Sequence, residues 1–252
     1  MEYFELQFEI EIIIPEDRAM RKNFLIMILI ILLFPALCFS INFSAGIKIG
    51  PTLNHFHGDD WDDMVNSTSE PNDRFKLGFS VGAFLTIDIL EFISIQPEFY
   101  FSIMGGALDY TENSLSGELK YSFMVLEIPV LAKGNFTTER LRASLFAGPN
   151  FIITVGQAKM DLEIGGSKVY DWYEFPESIL RKFIMGIVVG GSLDTKISEN
   201  TFIIIDVRYV LTFTDIIDDN QFIYFPASTR YALEPDLMGN SLKFMIGFGI
   251  EM

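Results

Sequence analysis

Twelve residues, Phe92–Ile103 (FISIQPEFYFSI), limit the folds open to this chain more than any others. Ile93, Ile95, Pro97, Phe99, Phe101 and Ile103 share one parity; Ser94, Gln96, Glu98, Tyr100 and Ser102 share the other. Successive side chains of a strand point to opposite faces. The stretch therefore predicts a ribbon with one unbroken apolar, aromatic face and one polar face carrying a carboxylate. Strands of a soluble sandwich alternate too, but they are usually shorter and less aromatic. About ten alternating residues is the length that crosses a bilayer at a tilt.

The pattern recurs. The spacing predicts eight strands, over residues 42–53, 76–88, 92–103, 118–133, 141–155, 181–194, 201–213 and 241–252. In residues 118–133 the apolar parity changes midway, from Leu119, Tyr121, Phe123 and Val125 to Leu126, Ile128, Val130 and Ala132. One extra residue in a bulge near Met124–Leu126 would restore a single apolar face. Connections are expected to alternate long and short. The long ones are 54–74, 105–117, 156–180 and 214–239. This rhythm, with an even strand number, belongs to outer-membrane barrels with long external loops and brief periplasmic turns. The predicted fold is all-β: an eight-stranded antiparallel up-and-down transmembrane barrel. A soluble, lipocalin-like barrel would need apolar residues inside and polar ones outside, the reverse of this assignment.

Half of the 252 residues are hydrophobic and mean hydropathy is +0.31, yet the formal charge is −16. That combination implies apolar surface facing something other than water. Few lysines and arginines argue against nucleic acid, which needs basic patches to neutralise phosphates. Cys38 is the only cysteine, so no internal disulfide is possible. Residues 1–19 are acidic and read as a non-native leader from an upstream start. Residues 20–40 have the anatomy of a signal peptide: Arg21 and Lys22, an apolar run from Phe24 to Phe34, Pro35, then Cys38 and Ser40 at the −3 and −1 positions. A single transmembrane anchor and a lipoprotein acylated at Cys38 are the other readings of that run. The barrel domain is expected over 41–252.

Several charged residues share the polar parity: Lys48, Glu98, Glu127, Lys133, Arg142, Asp206, Arg208, Lys243 and Glu251. Asp194 and Ser192 also face inward in the sixth strand. Eight strands leave an interior that side chains can fill. Buried charges persist only when paired and hydrogen-bonded. The nine residues are therefore expected to form a salt-bridge plug, with a narrow ion path as the alternative.

His55 and His57, followed by Asp59, Asp60, Asp62 and Asp63, supply imidazoles and carboxylates of the kind that hold a divalent cation. The bland expectation is a solvated acidic loop, and no cofactor or metal is expected. Asp215, Asp218 and Asp219 add little. Catalysis through histidine would have to pass through His55 or His57, and no GxSxG nucleophile motif is present. A loop-based hydrolase thus ranks below a non-enzymatic barrel. Asn66-Ser67-Thr68 and Asn135-Phe136-Thr137 match glycosylation sequons that a bacterial barrel would not normally use.

The segments GIKIGPTLN (Gly46–Asn54), Gly78–Gly106 with its QPE, LEIPVLAKGNF (Leu126–Phe136), AGPNF (Ala147–Phe151), Ile203–Ile216 and the closing FMIGFGIEM resemble the small outer-membrane β-barrel family of Bacteroidetes and related bacteria. That family includes PorT-like proteins. The resemblance implies an eight-stranded outer-membrane barrel, some of whose members are linked to protein secretion, with no shared catalytic motif. Many outer-membrane proteins end on an aromatic residue; this chain ends on Met252. The expected role is structural, adhesive or accessory to envelope transport, with a small channel as the alternative. The expected partners are outer-membrane lipid, the assembly machinery and other envelope proteins.

Overall fold

The structure is a computed structural model that describes residues 42–59, 61–62, 72–112, 115–174, 179–217 and 237–252. Among these, eight strands close into one antiparallel barrel. They are β1 (Asn42–His57), β3 (Lys76–Leu90), β4 (Ile93–Glu112), β5 (Leu115–Thr137), β6 (Leu141–Ile164), β8 (Phe183–Ser198), β9 (Thr201–Thr212) and β10 (Met238–Glu251). Each pairs with the next, and β10 returns to β1, in register from Ser44 opposite Glu251 to His57 opposite Met238. Two short strands add to the far end, away from the chain's C-terminus. β2 (Asn72–Arg74) pairs with β4, and β7 (Ser167–Glu174) pairs with β6. The leader, the run 20–40 with Cys38, and Asn66-Ser67-Thr68 lie outside the described residues.

The outer wall is the apolar parity of the sequence. Ile47, Ile205 and Ile246 are each more than half exposed, and Phe79, Phe99, Ile187, Val207, Phe244 and Phe248 join them. Water would penalise such a surface by about 25 cal/mol per Å², so the wall requires an apolar surrounding. Along β9 and the residue that follows it, this face runs from Ile203 to Phe213. Ten steps of about 3.3 Å, tilted by about 40°, give a band about 25 Å tall. Phe43, Phe92 and Phe136 mark its edge at the termini end; Phe75, Phe183 and Phe213 mark the other.

Inside, glycines make room for rings. A Cβ on Gly46 would lie 2.7 Å from the Phe84 ring, on Gly82 2.4 Å from Tyr100, and on Gly249 2.4 Å from Phe202. Gly190 and Gly106 leave the same space for Phe146 and Phe56. The inward-facing glycines of the sequence are thus seats for aromatic side chains that fill an eight-stranded lumen.

The structure corrects the expected β5 bulge. Leu119, Tyr121, Phe123, Val125, Glu127, Leu131 and Lys133 are all buried, so β5 keeps one parity throughout. Its pairing with β4 is continuous from Tyr100 opposite Glu127 to Glu112 opposite Leu115. The irregularity lies in the pairing with β6, between Ser122 and Met124, opposite a stretch of β6 that contains Gly156 at φ +74°. The apolar parity changes because the surroundings change. Where the band covers the outside, apolar side chains face out; beyond it, the outside is wet and they face in.

The same reason corrects two predicted loops. Residues 105–117 are mostly strand, as β4 runs to Glu112 and β5 starts at Leu115. In 156–180, β6 continues to Ile164 and turns through Gly165 and Gly166, both at positive φ, into β7. β1 reaches His57 rather than Leu53, β8 ends at Ser198, and β10 begins at Met238. The result is a tall wall of β4, β5 and β6 rising past the apolar band.

Candidate functional site

The lumen is built in layers. At mid-height, four side chains form a closed ring of alternating charge. Lys48 Nζ lies 2.9 Å from Glu98 Oε1 and 2.8 Å from Asp206 Oδ2. Arg208 completes the ring through ion pairs to both Glu98 and Asp206, with its Nε donating to Asp206 Oδ1 at 2.8 Å. The side chains of all four are at most 2 % exposed. Two cations face two anions, so the ring is neutral, as a buried network must be to persist. Rings of carbon surround it: the Arg208 guanidinium lies 5.2 Å from both the Tyr100 and Phe146 centroids, and Lys48 Nζ 4.9 Å from Phe84.

Towards the far end, Lys243 pairs with Glu127, which also accepts from Asn150 Nδ2 at 2.9 Å. Lys243 Nζ donates further to Ser80 and Ser102. Towards the termini end, Lys133 Nζ donates to Gln96 Oε1 at 3.0 Å, and Gln96 Nε2 donates to Glu98 Oε1 at 2.6 Å. Seven of the nine inward charges named from sequence therefore sit in one connected stack. Arg142 and Glu251 stand apart, at the termini end: Arg142 pairs with Asp88 at 2.8 Å, and the half-exposed Glu251 pairs with Lys196 at 2.7 Å. Gln96, Tyr100 and Asn150, which tie the stack together, share the polar parity in the sequence, but being uncharged they are not among the nine residues expected in the plug. Asn135 is buried and donates to Ser94, so its sequon points into the lumen.

Above the stack lies an apolar cap. Phe56, Trp61, Met104, Leu108, Leu119, Tyr121, Phe123 and Ile152 pack with Ile179, Leu180, Ile216, Ile217 and Leu237. Phe56 meets Trp61 edge-on at 5.1 Å and stacks with Phe123 at 6.4 Å. Burial in this cap pushes the Tyr121 hydroxyl well above its ordinary value. Arg74 hydrogen-bonds Asp109 at 2.7 Å, which raises the affinity of its guanidinium for the proton.

Below the stack, the lumen opens at the termini end into a cavity of about 370 Å³. Asp88, Asp194 and Glu251 line it together with Arg140, Arg142 and Lys196.

His55 and His57 lie on the last residues of β1, at odd positions, the parity of the outer wall. His55 packs against Phe75 at 5.3 Å. Asp59 is exposed beyond the strand end; Asp60, Asp63, Asp218 and Asp219 lie outside the described residues. Among the described residues, no group of three or more His, Cys, Asp or Glu side chains is placed to hold a metal. The mid-height ring is enclosed on all sides, whereas the charges at the termini end line the open cavity.

Comparison with known proteins agrees with this architecture. The profile of the family described as "Outer membrane protein beta-barrel domain" matches residues 35–218. Among solved structures, the outer membrane protein OprG from Pseudomonas aeruginosa is similar at 11% identity and a TM-score of 0.46, covering 84% of this chain and 96% of that one. Neisserial surface protein A is similar at 11% identity and a TM-score of 0.42, covering 82% and 96%. No curated protein matches the sequence.

Proposed function

The chain belongs to the outer membrane protein beta-barrel domain family and resides in the bacterial outer membrane, and from that premise we propose a non-enzymatic, non-conducting barrel that works through the surface it lifts beyond the bilayer. Its role is structural, adhesive or accessory to envelope transport. The closed Lys48–Glu98–Arg208–Asp206 ring carries this reading. A conducting lumen needs a hydrated path, and here the ring is buried between aromatic rings and lies under an apolar cap. The two histidines, on the outer parity of β1, support the non-enzymatic part. In this reading residues 20–40 are the signal peptide, cleavage follows Ser40, and both termini face the periplasm. The lipid partner contacts the apolar band, and the assembly machinery inserts the barrel.

The test is conductance of the purified, heat-modifiable protein in planar bilayers. No unitary steps are expected from the native chain, and steady steps would support a small channel instead. In the same preparation, excising residues 110–117 and closing β4 to β5 with a two-residue turn is expected to leave heat-modifiability and the absence of unitary steps intact, because the tall wall lies beyond the apolar band. Loss of heat-modifiability in that variant would show that the wall is needed for the barrel itself to fold.

A further inference from the structure

Four prolines stand inside the barrel strands: Pro51, Pro97, Pro129 and Pro149. A proline has no N–H to give a ladder and is ordinarily confined to edges and bulges of a sheet. Here each one interrupts a seam. Pro97 on β4 faces Leu85, and the β3–β4 rungs skip from Phe84 opposite Glu98 to Ile87 opposite Ile95. Pro129 on β5 faces Glu98, and the β4–β5 rungs skip from Pro97 opposite Val130 to Tyr100 opposite Glu127. Pro149 on β6 faces Val130, and the β5–β6 rungs skip from Pro129 opposite Asn150 to Ala132 opposite Ala147. These three gaps adjoin. They form one line across the three strands that rise into the tall wall. Pro51 opens a fourth gap, between β1 and β10. The β6–β8, β8–β9 and β9–β10 ladders are unbroken through the apolar band. Gly50 and Gly148 precede two of the prolines. A Cβ on them would lie 1.9 Å from the Phe244 carbonyl oxygen and 2.0 Å from that of Val130. Each carbonyl deprived of its N–H thus leans on a glycine Cα, a weaker contact than the bond it replaces.

We propose that the line through Pro97, Pro129 and Pro149 is a hinge at the foot of the tall wall, and that the lumenal ion pairs are its latch. Sheets bend where rungs are interrupted and glycine removes the side chain. Where backbone bonds are missing, side chains hold the weakened strands instead. Glu98 sits on the line and reaches across the lumen to Lys48 on β1 and Arg208 on β9. Glu127, two residues from Pro129, reaches Lys243 on β10. Each of β4 and β5 therefore sends one buried carboxylate to cations on strands outside the line. Above it the wall is a long lever, since β4 continues to Glu112, β5 starts at Leu115 and β6 runs to Ile164. A small bend at the line shifts the external end of the wall. The ion pairs then set the pose of the wall as well as filling the lumen. The inference builds on the reading of the wall as the working surface, while its test reads motion alone, so either can fail without the other.

Amide hydrogen exchange of the intact protein in lipid nanodiscs reads the hinge, because exchange reports local opening. The amides of Leu85, Glu98 and Val130, in the interrupted rungs, should exchange at least tenfold faster than those of Val189 and Val207, in an unbroken ladder. Pro149→Ala returns a donor to the Val130 carbonyl and should slow exchange at Val130 severalfold. Spin labels read the latch. They are placed on Lys120→Cys, in the wall, and Ile197→Cys, at the termini end of β8, in a Cys38→Ser background. One narrow distance distribution is expected with the ion pairs intact, and a broadened or shifted one with Lys243→Met, which takes the cation from Glu127. Lys243→Met combined with Glu127→Gln leaves no unpaired charge and should do the same, so a folding failure of the single variant leaves the test standing. The native comparison of amides needs no variant at all. Equal exchange at Val130 and Val207, or an unchanged distance distribution in the neutral double variant, would overturn the proposal. Exchange raised equally at Val189 and Val207 in that variant would assign the ion pairs to the stability of the whole barrel and overturn it too.

Discussion

Arg208 is the residue whose loss the fold should tolerate least. Its guanidinium serves both carboxylates of the ring, each fully buried. Arg208→Met would leave Glu98 and Asp206 sharing Lys48, an uncompensated negative charge in the lumen. Breaking a buried pair from one side costs about 3–5 kcal/mol, and that loss is expected in urea unfolding from lipid vesicles. Glu98→Gln combined with Arg208→Met restores neutrality around Lys48 and Asp206. The double variant should therefore be less destabilised than the sum of the two single ones. Additive effects each below about 1 kcal/mol would mean that the ring is hydrated. The ring's members were legible in the sequence because Lys48, Glu98, Asp206 and Arg208 all interrupt a small or polar parity. Their pairing was not. Lys48 and Asp206 are 158 positions apart, and only closure of β10 onto β1 brings their strands round to one lumen. Asp194 was legible as inward, but not the turn of its register neighbour Arg142 towards Asp88.

At the scale of elements, the β4–β5–β6 wall shows what alternation can and cannot say. Strand positions inside the apolar band were readable because every outward side chain there is apolar. Beyond the band the rule inverts. Leu119, Tyr121 and Phe123 face in for the same hydrophobic reason that makes Leu126 and Ile128 face out. Parity alone cannot tell an inverted surrounding from a bulge; the ladder can, and β4 pairs with β5 without a break across the change. Gly105, Gly106 and the Asn113-Ser114 pair made residues 105–117 look like a loop, whereas most of them are paired strand. The cap that the wall supports should be separable from the barrel. Phe56 packs on Trp61, Phe123 and Gly106, and Phe56→Ala should cost the cap about 3–5 kcal/mol. Faster proteolysis at the far end, with the barrel's heat-modifiable mobility unchanged, is the expected outcome. Loss of that mobility would show instead that cap and barrel fold as one unit.

At the scale of the whole molecule, the chain turns a soluble protein inside out over one band and right side out above it. Charge sits in the lumen and apolar side chains outside where lipid surrounds the wall. Apolar side chains sit inside and charge outside where water does. That arrangement accounts for a high hydrophobic content in a chain that also buries charge. It also gives a depth-dependent test that local packing cannot mimic. Val207 lies near mid-height of the outer face of β9, paired across to Phe244, whereas Ile203 lies near its termini end, paired to Phe248. Both are about two-fifths exposed, so neither is a core position. In lipid, Val207→Lys should cost about 2–4 kcal/mol, and Ile203→Lys about 0–1 kcal/mol because its amine can reach the interface. Reversible unfolding from bilayers of defined thickness measures both. Thinner bilayers should reduce the Val207→Lys cost while barely changing that of Ile203→Lys. Equal, small costs at the two positions would place the wall in water and leave the exposed apolar face to be covered by another protein.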